Sequence, residues 1–180
     1  MAIPTFNAVG FAAHYSKQGD WAFDYALQLS KRCGLKLNVF HFLQDPYNPD
    51  DNSSKNLNLK ELDELAIKEE KQLRLYYDEL AGEFLDVGFR VCYDKSWTEL
   101  HRCLLIREFQ VLVLGYPEFN ATFVDNTIEH FAQRFISPVV LVGPHHKDQF
   151  FLNRQALHIS DKLGIDSDKL CELNEEIMAV

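Results

Sequence analysis

The sequence predicts a three-layer α/β/α sandwich, an open and mostly parallel sheet of five strands with helices on both faces. Three observations carry this. Short apolar runs alternate with stretches of helical periodicity in the order β-α-β-α-β-α-β-α-β. Residues 111–114, Val-Leu-Val-Leu, are apolar without interruption, as a strand covered on both faces must be. Glycine, proline and capping residues fall at the joints between the segments.

Taken in order, residues 8–13 read as the first strand. Ala22, Ala26, Leu29 and Cys33 then recur at i, i+4, i+7 and i+11, one face of a helix, and Gly34 suits the left-handed cap that ends it. Residues 35–43 form a second strand, with Leu37, Val39 and the aromatics favouring the extended state. Residues 44–55, rich in Asp, Asn, Pro and Ser, are a polar loop. Asn58 with Glu61 has the pattern of a capping box. Leu62, Ala66, Leu73, Tyr77, Leu80 and Phe84 trace the buried face of the long helix behind it, a stripe that Glu69 interrupts. Tyr76 and Trp97 also fall at core-facing spacing and are expected to pack inside.

Residues 87–93 are the third strand. Ser96 with Glu99 makes a second capping box, opening a helix lined by Trp97, Leu100 and Leu104. After the fourth strand, Val124, Ile128, Phe131 and Phe135 repeat at helical spacing until Pro138, and Val139–Val142 is the fifth strand. In the tail, Leu152, Ala156, Ile159 and Leu163 share one helix face closed by Gly164. Ser167 is placed to cap a last helix carrying Leu170, Leu173 and Ile177. The expected organisation is an α/β domain over residues 1–143 and a helical C-terminal extension over 144–180. Its apolar faces must bury on the domain or on a second copy.

The 180 residues carry a net charge of −9, which repels phosphate polymers and excludes nucleic acid as a main partner. Cys33, Cys92, Cys103 and Cys171 form no CxxC pair, so neither a zinc ribbon nor a thioredoxin-type site is indicated, and reduced thiols are expected. No basic and apolar leader and no run of about 20 apolar residues is present, so the expectation is a cytoplasmic protein with no membrane partner.

The turn after the fourth strand holds most of the functional information. In parallel α/β proteins a nucleotide phosphate sits there, against backbone N–H groups and a helix N-terminus. Here Gly115 is followed by Tyr116, Pro117 and Glu118; the proline removes a donor and the glutamate adds negative charge. The candidate ligand-binding residues are His14 and Ser16 in the first turn, His41 at the end of the second strand, and Gly115, Asn126 and Thr127. Three of them have a plainer role to set beside it: turn chemistry and helix capping for His14 and Ser16, a hydrogen-bonded core histidine for His41. His145 and His146 are adjacent and point to opposite sides of an extended segment, so no metal site is assigned. There is no G-x-S-x-G elbow, no Walker loop, no G-x-G-x-x-G and no pair of acids ending the first strand, and no catalytic residue is named.

Three stretches resemble the universal stress protein family. Residues 24–34, Asp-Tyr-Ala-Leu-Gln-Leu-Ser-Lys-Arg-Cys-Gly, look like its first helix and closing glycine. Residues 37–42, Leu-Asn-Val-Phe-His-Phe, are similar to its second strand. Residues 111–115, a helix, and then Pro138 with Val139–Val142 resemble its last two strands. The resemblance implies a five-stranded parallel sheet and a homodimer through the last strand, Val139–Val142. It also implies a choice between two classes, one of which binds ATP with an aspartate after the first strand and a G-x2-G-x9-G-S/T loop after the fourth.

His14 or Tyr15 stands where that aspartate would be, Gly115 matches the first glycine and Glu118 takes the place of the second. Direct counting puts Ile128 and Glu129 at the final pair; a shorter loop puts Asp125-Asn126 or Asn126-Thr127 there. At an effective dielectric of about 20, two like charges some 4 Å apart cost about 4 kcal/mol, roughly three powers of ten in affinity. The reading is therefore a stress-response domain that works through contacts with an unknown protein partner, without a cofactor or chemistry of its own. The alternative is an ATP/Mg-binding switch or slow ATPase in which Ser16, Asn126 and Thr127 supply the donors.

Overall fold

The computed structural model describes residues 6–93 and 97–173, the side chain of Glu172 excepted. Its elements are β1 (Ala8–Ala12), α1 (Lys17–Cys33), β2 (Lys36–Phe42), α2 (Leu59–Ala81), β3 (Val87–Cys92), α3 (Trp97–Leu105) and β4 (Val111–Gly115). There follow β5 (Thr122–Phe123), β6 (Asn126–Thr127), α4 (Ile128–Arg134), β7 (Val139–Val142), β8 (Phe150–Leu152), α5 (Arg154–Leu157), α6 (Ser160–Leu163) and β9 (Leu170–Glu172). The main sheet has the order β3-β2-β1-β4-β7-β8-β9. Its first five strands pair in parallel, β8 joins β7 antiparallel, and β9 joins β8 in parallel.

The expected sandwich is present, and strand alternation explains its two cores. Val9, Phe11, Leu37, Val39, Val111, Val113, Val140 and Val142 point to one face, beneath α1 and α2. Ala12, Phe40, Phe42, Cys92, Leu112, Leu114, Val139 and Leu141 point to the other, beneath α3 and α4. The helix ends follow their sequence signals. Ser16 caps α1 by accepting from the Gly19 N–H, and Gly34 closes it at φ 66°. Asn58 and Glu61 form a complete capping box on α2.

Several expectations are corrected. The sheet has seven strands among the described residues, not five, because the tail is not simply helical. Leu152 lies in β8, where Phe150 and Leu152 enter one core and Phe151 the other, an alternation that only a strand delivers. Ala156 and Leu163 lie in two one-turn helices, Ser167 is in a turn, and Leu170 belongs to β9. Val124 is not helical: at φ 49°, with Asp125 at φ 63°, it turns the β5–β6 hairpin. Cys33, Tyr76 and Leu80 are exposed rather than core-facing. Ser96 and Ile177 lie outside the described residues.

The added strands change the outer edge of β7. Val140, Leu141 and Val142 pair with Leu152, Phe151 and Phe150, while the other edge of β7 is paired with β4. Both edges of Val139–Val142 are thus used within the chain, and the expected strand-to-strand dimer finds no free edge there.

Candidate functional site

The C-terminal ends of β1, β2 and β4 form the mouth of the sheet, where an open parallel fold presents its ligands. Two different environments lie there, separated by Tyr47.

On the β4 side the turn is closed by the chain itself. A side chain on Gly115 would place its Cβ 2.9 Å from the backbone N and Cα of Gly19 and 3.1 Å from the carbonyl carbon of Gln18. Gly115 is glycine because the first turn of α1 presses against it. Gly19 is glycine for a similar reason, since its Cβ would lie 1.9 Å from the His14 carbonyl oxygen. The Tyr47 hydroxyl donates to the Gly115 carbonyl at 2.9 Å. Its ring stands 4.0 Å from that of His14 and 5.0 Å from that of Phe123, centroid to centroid. The Val124 N–H donates to the Pro46 carbonyl at 3.0 Å, so the polar loop and the hairpin are joined over the turn.

The loop still cradles an acidic group, but one supplied by α4. Glu129 is fully buried. Its Oε1 accepts from the Asn120 N–H at 2.6 Å and from the Tyr116 hydroxyl at 2.5 Å. Asn120 sits at φ 62°, a left-handed conformation that aims its N–H inward. Burial, then the bond to Glu129, pushes the Tyr116 phenol well up, so it remains a donor. Glu129 Oε2 is buried without a hydrogen-bond partner. Glu118, expected to be the obstructing acid, is exposed. The group that fills the cradle is the residue which direct counting put at the end of the loop pattern.

On the β1–β2 side a cavity of about 440 Å³ remains open. Its walls include His14, Tyr15, His41, Asp45, Asp51 and Glu69, and among the described residues its lining holds no lysine or arginine. The His14 Nδ1 lies 2.7 Å from the Ser16 hydroxyl, which already caps α1. His41 Nε2 is 3.4 Å from Glu69 Oε2. Burial lowers the pKa of His14 against the pull of Asp45, and lowers that of His41 against Glu69 and Asp45. Both imidazoles are therefore neutral at pH 7. Neutral imidazoles beside three carboxyl side chains make a poor site for phosphate and a usable one for an uncharged or cationic group.

The six candidate residues thus divide. His14 and His41 meet in the cavity, with Ser16 holding His14. Gly115 packs against α1. Asn126 and Thr127 lie in the hairpin outside the cavity lining, and Thr127 caps α4 through the His130 N–H at 3.2 Å. Among the described residues no three His, Cys, Asp or Glu side chains are grouped to hold a metal ion. Tyr47, Asp45, Glu69 and Glu129 join the site without being among the residues that the sequence motifs mark. For two of them the sequence did carry a signal: Glu69 breaks the apolar stripe of α2, and Glu129 follows Ile128 on a helix whose neighbours are core residues.

No protein-family model matches the chain, and no curated protein matches it in sequence. Solved structures do match in fold. A protein of the universal stress protein family from Burkholderia pseudomallei aligns with a TM-score of 0.52 and 14% identity, over 76% of this chain and 95% of that one. The universal stress protein UspA from Lactobacillus plantarum aligns with a TM-score of 0.52 and 14% identity, over 78% and 100%. A universal stress protein solved in complex with cAMP aligns with a TM-score of 0.50 and 16% identity, over 77% and 98%. The chain therefore has the universal stress protein fold. No helix of the described residues is long and apolar enough to cross a membrane.

Proposed function

We propose that this chain is a cytoplasmic universal stress protein-like domain that acts in stress response through protein contacts, without nucleotide chemistry of its own. The observation that carries the reading is the Glu129 carboxyl group on the Asn120 N–H and Tyr116 hydroxyl, in the turn where a phosphate would need those donors. Tyr47 on the Gly115 carbonyl and the absence of lysine and arginine from the cavity lining among the described residues support it. The surface that favours protein contacts is the outer side of α2, where Ile67 is 70% and Leu75 68% exposed. A homodimer of this chain uses such a surface, because β8 already occupies the outer edge of β7. Isothermal titration with Mg-ATP tests the reading. No heat of binding is expected up to millimolar ligand, and micromolar affinity overturns it.

An adenine-nucleotide reading is favoured by the open cavity beside His14 and His41, and by the structural neighbour solved with cAMP. In that reading the base and sugar make the contacts and the phosphate stays outside the filled turn. ATP/Mg with Asn126 as a donor is its more demanding form, since Ser16 and Thr127 are committed to capping. Titration with AMP and cAMP separates the two readings: saturable binding lost in His41→Trp replaces the first with the second.

A further inference from the structure

A second opening lies at the end of the sheet opposite the mouth, where β1, β2 and β4 begin side by side. Leu35 stands just before β2, Val111 opens β4, and Leu29 joins them in one core from the last turns of α1. The tail supplies the remaining wall. α6 brings Leu163 into the same core, and two hydrogen bonds from α1 hold that helix in place. The Tyr25 hydroxyl donates to the Leu163 carbonyl at 2.7 Å, and Arg32 Nη2 donates to the Lys162 carbonyl at 3.0 Å. These elements do not close on one another: a cavity of about 240 Å³ remains between them. It shares no lining residue with the cavity at the mouth.

The floor of this cavity is apolar. Leu29, Leu35, Val111 and Leu163 are between 1% and 7% exposed, and all four line it. Phe6, Cys33 and Lys162 complete the lining at the rim. Among the described residues the lining holds no aspartate or glutamate, and Lys162 is its one charged group. The Lys162 ammonium lies 5.6 Å from the centroid of the Phe6 ring and forms no ion pair with a described residue. An apolar hollow with a single cation at its rim is complementary to an alkyl chain that ends in an anion. We propose that this cavity binds a free amphipathic carboxylate, a fatty acid of medium length, with its chain on Leu29, Leu35, Val111 and Leu163 and its carboxylate on Lys162. The volume sets the length. At roughly 30 Å³ for a water, and a similar space for a methylene, it takes a chain of about eight carbons. The paired long chains of a phospholipid do not fit.

The cysteines give the test a built-in reporter. Cys33 is exposed on the rim, and Cys171 is exposed on β9, outside the cavity lining. In the full chain, sodium octanoate should slow the alkylation of Cys33 by iodoacetamide, read by peptide mass spectrometry, while Cys171 reacts as before. In isothermal titration, affinity should rise about fourfold for each methylene from hexanoate to octanoate and level off once the cavity is full. Lys162→Met, a change at an exposed position, should weaken octanoate about tenfold without lowering the melting temperature. Octanoate that gives no heat and no protection of Cys33, or that protects Cys33 and Cys171 alike, overturns the site. Octanol binding as tightly as octanoate overturns the carboxylate, and unchanged affinity in Lys162→Met overturns the part given to that residue. Cys33 that resists alkylation without ligand, and reacts once residues 1–5 are deleted, makes the chain's own N-terminus the occupant and overturns the proposal.

Discussion

Replacing Asn153 with alanine should destabilise the protein by about 4 kcal/mol. The side chain is fully buried and makes four hydrogen bonds. Its Oδ1 accepts from the N–H groups of Val139 and Ala156, each at 3.0 Å. Its Nδ2 donates to the carbonyls of Ala132 and Ser137, each at 2.9 Å. One residue thereby ties the start of β7, the end of α4 and the first turn of α5. Each bond contributes roughly 1 kcal/mol net, and alanine leaves four backbone groups buried without it. For a chain of this size the melting temperature should fall by about 8–16 °C. Urea unfolding followed by circular dichroism measures the change, with the m-value expected to stay the same. Asn153→Asp, which turns two donors into oxygens facing carbonyls, should be at least as damaging. A loss below about 1 kcal/mol for Asn153→Ala would refute the four-bond clamp and the integration of the tail that it implies.

Tyr47→Phe removes the donor to the Gly115 carbonyl and should cost about 1 kcal/mol, read as a melting shift of about 2–4 °C. Gly19→Ala should be more destabilising than Gly115→Ala in the same assay, because the new methyl meets a carbonyl oxygen at 1.9 Å rather than backbone at 2.9 Å. His14 and His41 both have folded pKa values below the unfolded 6.5, so between the two the unfolded chain binds more protons. Stability should therefore fall as pH drops below 6.5. The double variant His14→Gln with His41→Gln should flatten the dependence of the urea midpoint between pH 7 and pH 5.

Much of the fold could be read from local patterns. The parallel core follows from uninterrupted apolar runs such as residues 111–114, and the helix limits from Ser16, Gly34 and Asn58, whose side chains or backbone satisfy helix-end groups within a few residues. The tail departs from its helical expectation because Leu152, Ala156, Ile159 and Leu163 satisfy a helical period by coincidence, while the competing signal, Phe150-Phe151-Leu152, is only three residues long. A run that short becomes a strand through pairing with β7, a non-local partner. Val124 departs from the helical period for the same reason: a β-branched residue at positive φ is held by the hairpin and by the Pro46 carbonyl. At the site, His14 and His41 lie at strand ends and could be found from topology. Glu129 could not be given its role, because the burial of its carboxyl depends on Tyr116 and Asn120 folding back over α4.

A polypeptide that lays β8 along its own β7 needs no second molecule to shield Val139–Val142 from water. The pairing of β8 with β7 should then survive dilution, as the pairing of an outermost strand completed by a neighbour cannot. The sheet around β7 is completed by the chain that carries it, at any dilution.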